Sequence, residues 1–177
     1  MKWIKQNDEV FYPTQDKLLS IGDDDITYLQ KLAELNPRKR ARFCTHQTVE
    51  DEVHEMIIFH CKGAYVRPHK HLKKTESFHL VKGRADVLIF NGVGDLQNVL
   101  ELGEYSSKKL FYYRVPASCY HMQIFREDTV FHEVTKGPFQ KKDTVSAGWA
   151  PDENDLNLVK KYINELNEKV IIMNNEK

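Results

Sequence analysis

Residues 63–83 read Gly63-Ala-Tyr-Val-Arg-Pro-His69-Lys-His71-Leu-Lys-Lys-Thr-Glu76-Ser-Phe-His-Leu-Val-Lys-Gly83. His69 and His71 are two apart, so on an extended strand both imidazoles leave the same face. The residues between His71 and Glu76 suffice for a tight turn. Glu76, Phe78 and Leu80 then share one face of a second strand, and Ser77, His79 and Val81 the other. Such a hairpin aims two imidazoles and a carboxylate into one volume, a set that suits zinc, manganese, nickel or iron(II). Gly83 ends the strand where a tight turn or a close backbone approach is needed. The chain has eight histidines, so a lone His-x-His would mean little. A carboxylate at this spacing, between two glycines, moves the reading toward a metal. Parity turns His79 away from Glu76 and from the same ion.

The sequence on either side is strand-rich. Val53–Cys61 is apolar on both faces, as a strand inside a sandwich or barrel is. Further strands follow at Ala85–Phe90, Val99–Leu102, Leu110–Val115, Cys119–Phe125 and Thr129–Thr135, with Asn91-Gly92 as a hairpin turn. Short strands parted by turn signals about every ten residues predict an all-β, antiparallel barrel or sandwich. Residues 1–22 hold short apolar pieces that suit edge strands or a covering arm. Asp23-Asp24-Asp25 opens a short helix that Pro37 closes. Asn154–Lys169 has the spacing of an amphipathic helix, packed on the barrel or on a partner, and Met173–Lys177 reads as a frayed end. The expected division is 1–36 for an arm and helix, 37–150 for the barrel and 151–177 for the C-terminal helix and tail, within one domain overall.

A chain of 177 residues can bury a sizeable core. Lysine plus arginine equal aspartate plus glutamate at 26 each, so no global charge points to nucleic acid or to a membrane surface. The basic run Arg38-Lys-Arg-Ala-Arg42 reads as a solvated turn entering a strand, with one or two arginines in reach of a ligand pocket. No segment is apolar enough to span a bilayer, and the N-terminus lacks the apolar stretch of a secretory signal. Cys44, Cys61 and Cys119 make an odd, unpaired count, which suits a reducing cytoplasm. Barrel edges need covering, so a homodimer is the expected assembly.

The spacing Gly-x5-His-x-His-x4-Glu-x6-Gly resembles the first cupin motif without departure. Pro116-Ala-Ser-Cys-Tyr-His121 resembles the second, with Ser118 where glycine is usual and Phe125 where asparagine is often found. The resemblance implies a jelly-roll antiparallel β-barrel whose interior metal is held by His69, His71, Glu76 and His121. It also implies open coordination positions and Lewis-acid chemistry. Arg67 shares strand parity with His69 and His71. Facing inward, it needs an anionic partner, either a carboxylate or phosphate of a ligand or an internal ion pair with Glu133. Tyr65 and Gln123 fall on the ligand-side faces by the same parity. Glu133 is a candidate base or a partner of Arg67. Cys119 shares parity with His121.

Three further stretches, Asn36–His46, Tyr65–His71 and His132–Phe139 with the later Trp149-Ala-Pro151, are similar to the WbuC family of cupin-fold metalloproteins. That resemblance covers about residues 30–151. It implies a divalent metal (iron, manganese, nickel or zinc) and a small carbohydrate-like or anionic ligand tied to surface-polysaccharide (O-antigen) metabolism. The chemistry it allows is isomerisation or epimerisation. The alternatives are a non-catalytic, metal-dependent binding module, an oxygen-dependent iron(II) dioxygenase, or a purely structural ion.

Overall fold

The structure is a computed structural model and describes residues 2–14 and 18–175. Its strands are Trp3–Lys5 (β1), Val10–Pro13 (β2), Arg40–Cys44 (β3), Val53–His60 (β4), His69–His71 (β5), Glu76–Lys82 (β6), Arg84–Phe90 (β7), Leu96–Gly103 (β8), Tyr112–Val115 (β9), Tyr120–Phe125 (β10), Thr129–Lys136 (β11) and Thr144–Ser146 (β12). Two helices, Asp23–Leu35 (α1) and Leu156–Asn175 (α2), complete it. The strands form two sheets, ordered β1-β2-β3-β4-β11-β6-β9 and β12-β5-β10-β7-β8. All these pairings are antiparallel except β2 with β3. The result is a sandwich of two facing, mainly antiparallel sheets rather than one closed ring.

Strand alternation explains the layering. In β4, Met56 and Ile58 point between the sheets, beside Phe78, Leu80, Phe125 and Phe131. Ile57 and Phe59 point outward, where Leu29 and Ala33 of α1 cover them together with Phe43 and Val130. In β10, Met122 and Ile124 point outward onto Leu166 and Val170 of α2. Each sheet is therefore apolar on both faces, and each outer face carries one helix. Burying a side chain as large as Leu29 or Met122 contributes ~1.5–3 kcal/mol, enough to hold helices that would be marginal alone.

Several expected boundaries shift for local reasons. The strand expected from Leu110 is regular only from Tyr112, and Leu110 makes an isolated parallel bridge to Leu102. The C-terminal helix starts at Leu156, because Asp155 Oδ1 accepts the Leu158 amide at 3.1 Å as an N-cap does. It runs past Lys169 to Asn175, where Val170 is buried and Met173 packs on the same cluster. Of the end expected to fray, residues 176–177 lie outside the described residues. The N-terminal pieces do form edge strands: β1 pairs with β2, and β2 with β3. Gly83 has φ +92, and a Cβ there would stand 2.3 Å from the Asp128 carbonyl oxygen, so the close approach is real. Among the described residues, no helix is long and apolar enough to cross a membrane.

Candidate metal centre

β5 and β10 lie side by side with His69 directly opposite His121. Antiparallel partners opposite one another direct their side chains to the same face. His71 leaves that face two residues on, and Glu76 enters from β6 in the other sheet. One ligand atom from each of His69, His71, Glu76 and His121 lies within 4.8 Å of every other. The cluster thus joins the two sheets from inside.

Each imidazole is held by its far nitrogen. Nδ1 of His69 is 3.0 Å from the Arg67 carbonyl oxygen, and Nδ1 of His121 is 3.1 Å from that of Cys119. Nδ1 of His71 is 3.0 Å from the Thr144 hydroxyl. With N–H donated to these oxygens, every Nε2 keeps a lone pair, the tautomer a metal ligand requires. Glu76 Oε1 lies 2.8 Å from His71 Nε2, and Oε2 3.3 Å from His121 Nε2. Yet neither approach has hydrogen-bond geometry, and both Nε2 atoms are buried without a hydrogen-bond partner. Buried nitrogens left in this state, around a carboxylate, fit a divalent cation. Burial, with the neighbouring His121, takes His69 down to about 4.

The second motif's departures have local explanations. Ser118 adopts φ +64, the left-handed conformation that favours the glycine it replaces. Its amide donates to the His71 carbonyl at 2.7 Å and fixes the turn beside the site. Phe125 points inward and stacks on His60 with ring centroids 4.2 Å apart.

A cavity of about 610 Å³ opens from the cluster toward β2 and β3. Gln123 and Glu133 line it, as does Arg67. Gln123 Nε2 donates to the buried Tyr113 hydroxyl at 2.6 Å. Burial, then the Glu76 charge, pushes the Glu133 carboxyl up to about 8. Two expectations are corrected. Arg67 does not pair with Glu133: its Nε donates to the Ala147 carbonyl at 3.0 Å, and an N–H approaches Asp152 at 3.5 Å. Tyr65 turns away from the cavity, donates its hydroxyl to the Pro151 carbonyl at 3.0 Å, and packs in the layer under α2. For Tyr65 parity misled because β5 begins only at His69; the residues before it are irregular up to buried Pro68. The Cys119 thiol likewise serves no ligand role, and it is the residue's carbonyl that holds His121.

Sequence reasoning missed Thr144, which sits in a stretch with no strand signal and reaches His71 only through the β12–β5 pairing. It left Arg40 and Arg42 unassigned within the basic run. Both line the cavity, on the β3 face they share with Cys44. Arg40 pairs with Glu9 at 3.0 Å, and Arg38 with Glu9 at 2.9 Å and with Glu153. This network joins the N-terminal arm, β3 and the loop before α2.

A family model described as Domain of unknown function (DUF6016) matches residues 21–102, under half of the chain. No curated protein matches it. Similar solved structures include an X-ray structure of a Shewanella oneidensis protein (13% identity, TM-score 0.48, covering 59% of this chain and 72% of that one). Another is the capsular polysaccharide assembling protein CapF from Staphylococcus aureus (18%, TM-score 0.47, 60% of this chain and 31% of that one). A third is an oxalate decarboxylase variant from Bacillus subtilis (22%, TM-score 0.45, 55% of this chain and 25% of that one). This chain thus spans under a third of the length of the last two.

Proposed function

We propose that this cupin holds a divalent transition ion through His69, His71, Glu76 and His121 and acts on a small polar or anionic, carbohydrate-like ligand. The observation that carries the reading is the pair of buried Nε2 atoms on His71 and His121 without hydrogen-bond partners, on rings already pinned through Nδ1. The bound ion, whether iron, manganese, nickel or zinc, would supply Lewis acidity toward a ligand oxygen. The chain's own residues do the remaining work. Glu133 faces the same cavity as the ligands and is the candidate to hold or move a proton on the substrate. Gln123, oriented by Tyr113, is a polar wall for the ligand's hydroxyls. Arg67 and Tyr65 act indirectly, by tying the segment before β5 to the 147–152 loop.

A closer relationship to the WbuC family, with its surface-polysaccharide context, is supported by where the three similar stretches lie. Asn36–His46 contains β3, Tyr65–His71 leads into the histidine strand, and of the third stretch Glu133 and Phe139 line the cavity while Trp149 packs on Phe90 with centroids 5.1 Å apart. All three surround one cavity or brace its wall. A cytoplasmic homodimer belongs to the same reading.

The test is metal analysis of protein purified without added metal, for the native chain and for His121→Ala. About one ion per chain is expected in the first and almost none in the second. Equal metal content in the two would overturn the assignment. Turnover of candidate sugars, in air and under nitrogen, then separates Lewis-acid chemistry from oxygen chemistry. A ligand that binds and is recovered unchanged in both identifies a binding module.

A further inference from the structure

Three arginines line the cavity, and two of them are committed. Arg40 is held by Glu9, and Arg67 by the Ala147 carbonyl. Arg42 is different. It lies on the inward face of β3, opposite Ile58 of β4, and is only partly exposed. Among the described residues its side chain makes no ion pair and no hydrogen bond; its backbone amide donates to the Glu9 carbonyl at 2.8 Å. The acids nearby are engaged elsewhere. Glu9 serves Arg38 and Arg40, and Glu76 belongs to the histidine cluster. Glu133, on the same cavity wall, feels the Arg42 charge but forms no ion pair and no hydrogen bond with it.

The other groups that feel the Arg42 charge offer no negative partner. Burial pushes the Cys44 thiol up to about 11 and raises the Tyr12 hydroxyl. Burial, and then Arg42 itself, takes His60 down to about 3, so that ring is neutral. His46 is also lowered, by burial first. A guanidinium in such surroundings gives up part of its hydration without a counter-charge. Its planar fork matches carboxylate and phosphate oxygens in pairs, better than an ammonium group would. The cavity volume falls within the ~300–1,000 Å³ common for small-molecule sites.

We propose that Arg42 anchors an anionic group, a carboxylate or a phosphate, of a ligand that lies along the cavity toward the His69–His71–Glu76–His121 cluster. Only the far end of that ligand rests on reading the cluster as a metal centre; the anion contact does not need it.

The experiment is calorimetric titration of the native protein, Arg42→Met and Arg42→Lys with glucuronate, glucose 6-phosphate and, as neutral control, glucose. Metal content and melting temperature are measured on each sample. The native protein should bind at least one anionic sugar and bind glucose more weakly. Arg42→Met should lose affinity for that anion by about tenfold or more, and Arg42→Lys by less. The carboxylate and phosphate arms tell which anion the fork accepts. Because Arg42 holds nothing in place, the melting temperature of Arg42→Met should not fall. Native protein that binds neither anion, or Arg42→Met that binds as tightly as native, overturns the proposal. So does a lowered melting temperature in Arg42→Met that Arg42→Lys restores without restoring anion affinity, since that marks a structural arginine. If metal is absent from all samples while the Arg42 dependence persists, the metal reading fails and the anion site stands.

Discussion

The two ends of the cavity carry charge in opposite ways. At one end Glu76 sits among three imidazoles, each fixed from behind by a carbonyl or a hydroxyl. At the other end Arg42 lies on an inward strand face with no partner. The first end is organised before anything binds, so a cation entering it pays little reorganisation. The second supplies a fixed charge and leaves the complementary one to come from outside. A site with one closed end and one open end selects a ligand by two unlike groups at once, and tolerates variation in what joins them.

The sharpest way to break this comparison is to loosen the closed end without touching a ligand. Thr144→Val removes the hydroxyl behind His71 and keeps the shape of a β-branched residue in β12. Losing such an outer contact lowers metal affinity by ~10–100-fold. Competition with a chelator of known strength measures it. Affinity equal to native would mean that the ring is held by packing alone, and that the closed end is less organised than its geometry implies.

A smaller effect separates the committed arginines from the open one. Arg67→Met removes one of two donors to the Ala147 carbonyl, leaving the Ala150 amide at 3.3 Å, and loosens the loop that follows it, at a cost of ~0.5–1.5 kcal/mol. Urea unfolding should register that loss for Arg67→Met and none for Arg42→Met. If the two variants fall together, Arg42 is braced by something other than a ligand and the contrast between the ends disappears.

The closed end was legible in the sequence because its logic is local. His69, His71 and Glu76 occupy fixed positions on one hairpin, and strand alternation carries their directions into three dimensions. His121 needed the likeness to a known motif, since nothing in the spacing alone brings β10 against β5. The open end was legible only as a basic run. Which arginine is partnered depends on Glu9 and Glu153, far away in the chain on either side, and no periodicity announces that they meet. Tyr65 shows the limit of parity. It holds on a strand and fails one residue before it begins, here at Pro68. Thr144 lay beyond reach for a related reason, because a three-residue strand after a turn has no pattern long enough to read.

The mildest test uses His60, which belongs to the open end. Its ring stacks on Phe125, and its Nδ1 is buried without a partner. Burial first, then the charges of Arg42 and Arg38, lower its pKa from 6.5 to about 3. Above pH 6.5 the ring is neutral both folded and unfolded, and pH has no leverage through it. Between 6.5 and about 3 the unfolded chain takes up a proton that the folded ring refuses, so stability falls as pH falls, by at most ~1.4 kcal/mol per pH unit. Urea midpoints at pH 7, 6 and 5 should therefore drop less in His60→Phe than in the native chain. Arg42→Met should also flatten the slope, more weakly, because Arg42 is the second cause and burial the first. An anion held at Arg42 should do the same by masking its charge. A native slope that neither substitution changes would mean that the ring is not a buried neutral base under the arginine's field, and the open end would lose its claim to be uncompensated.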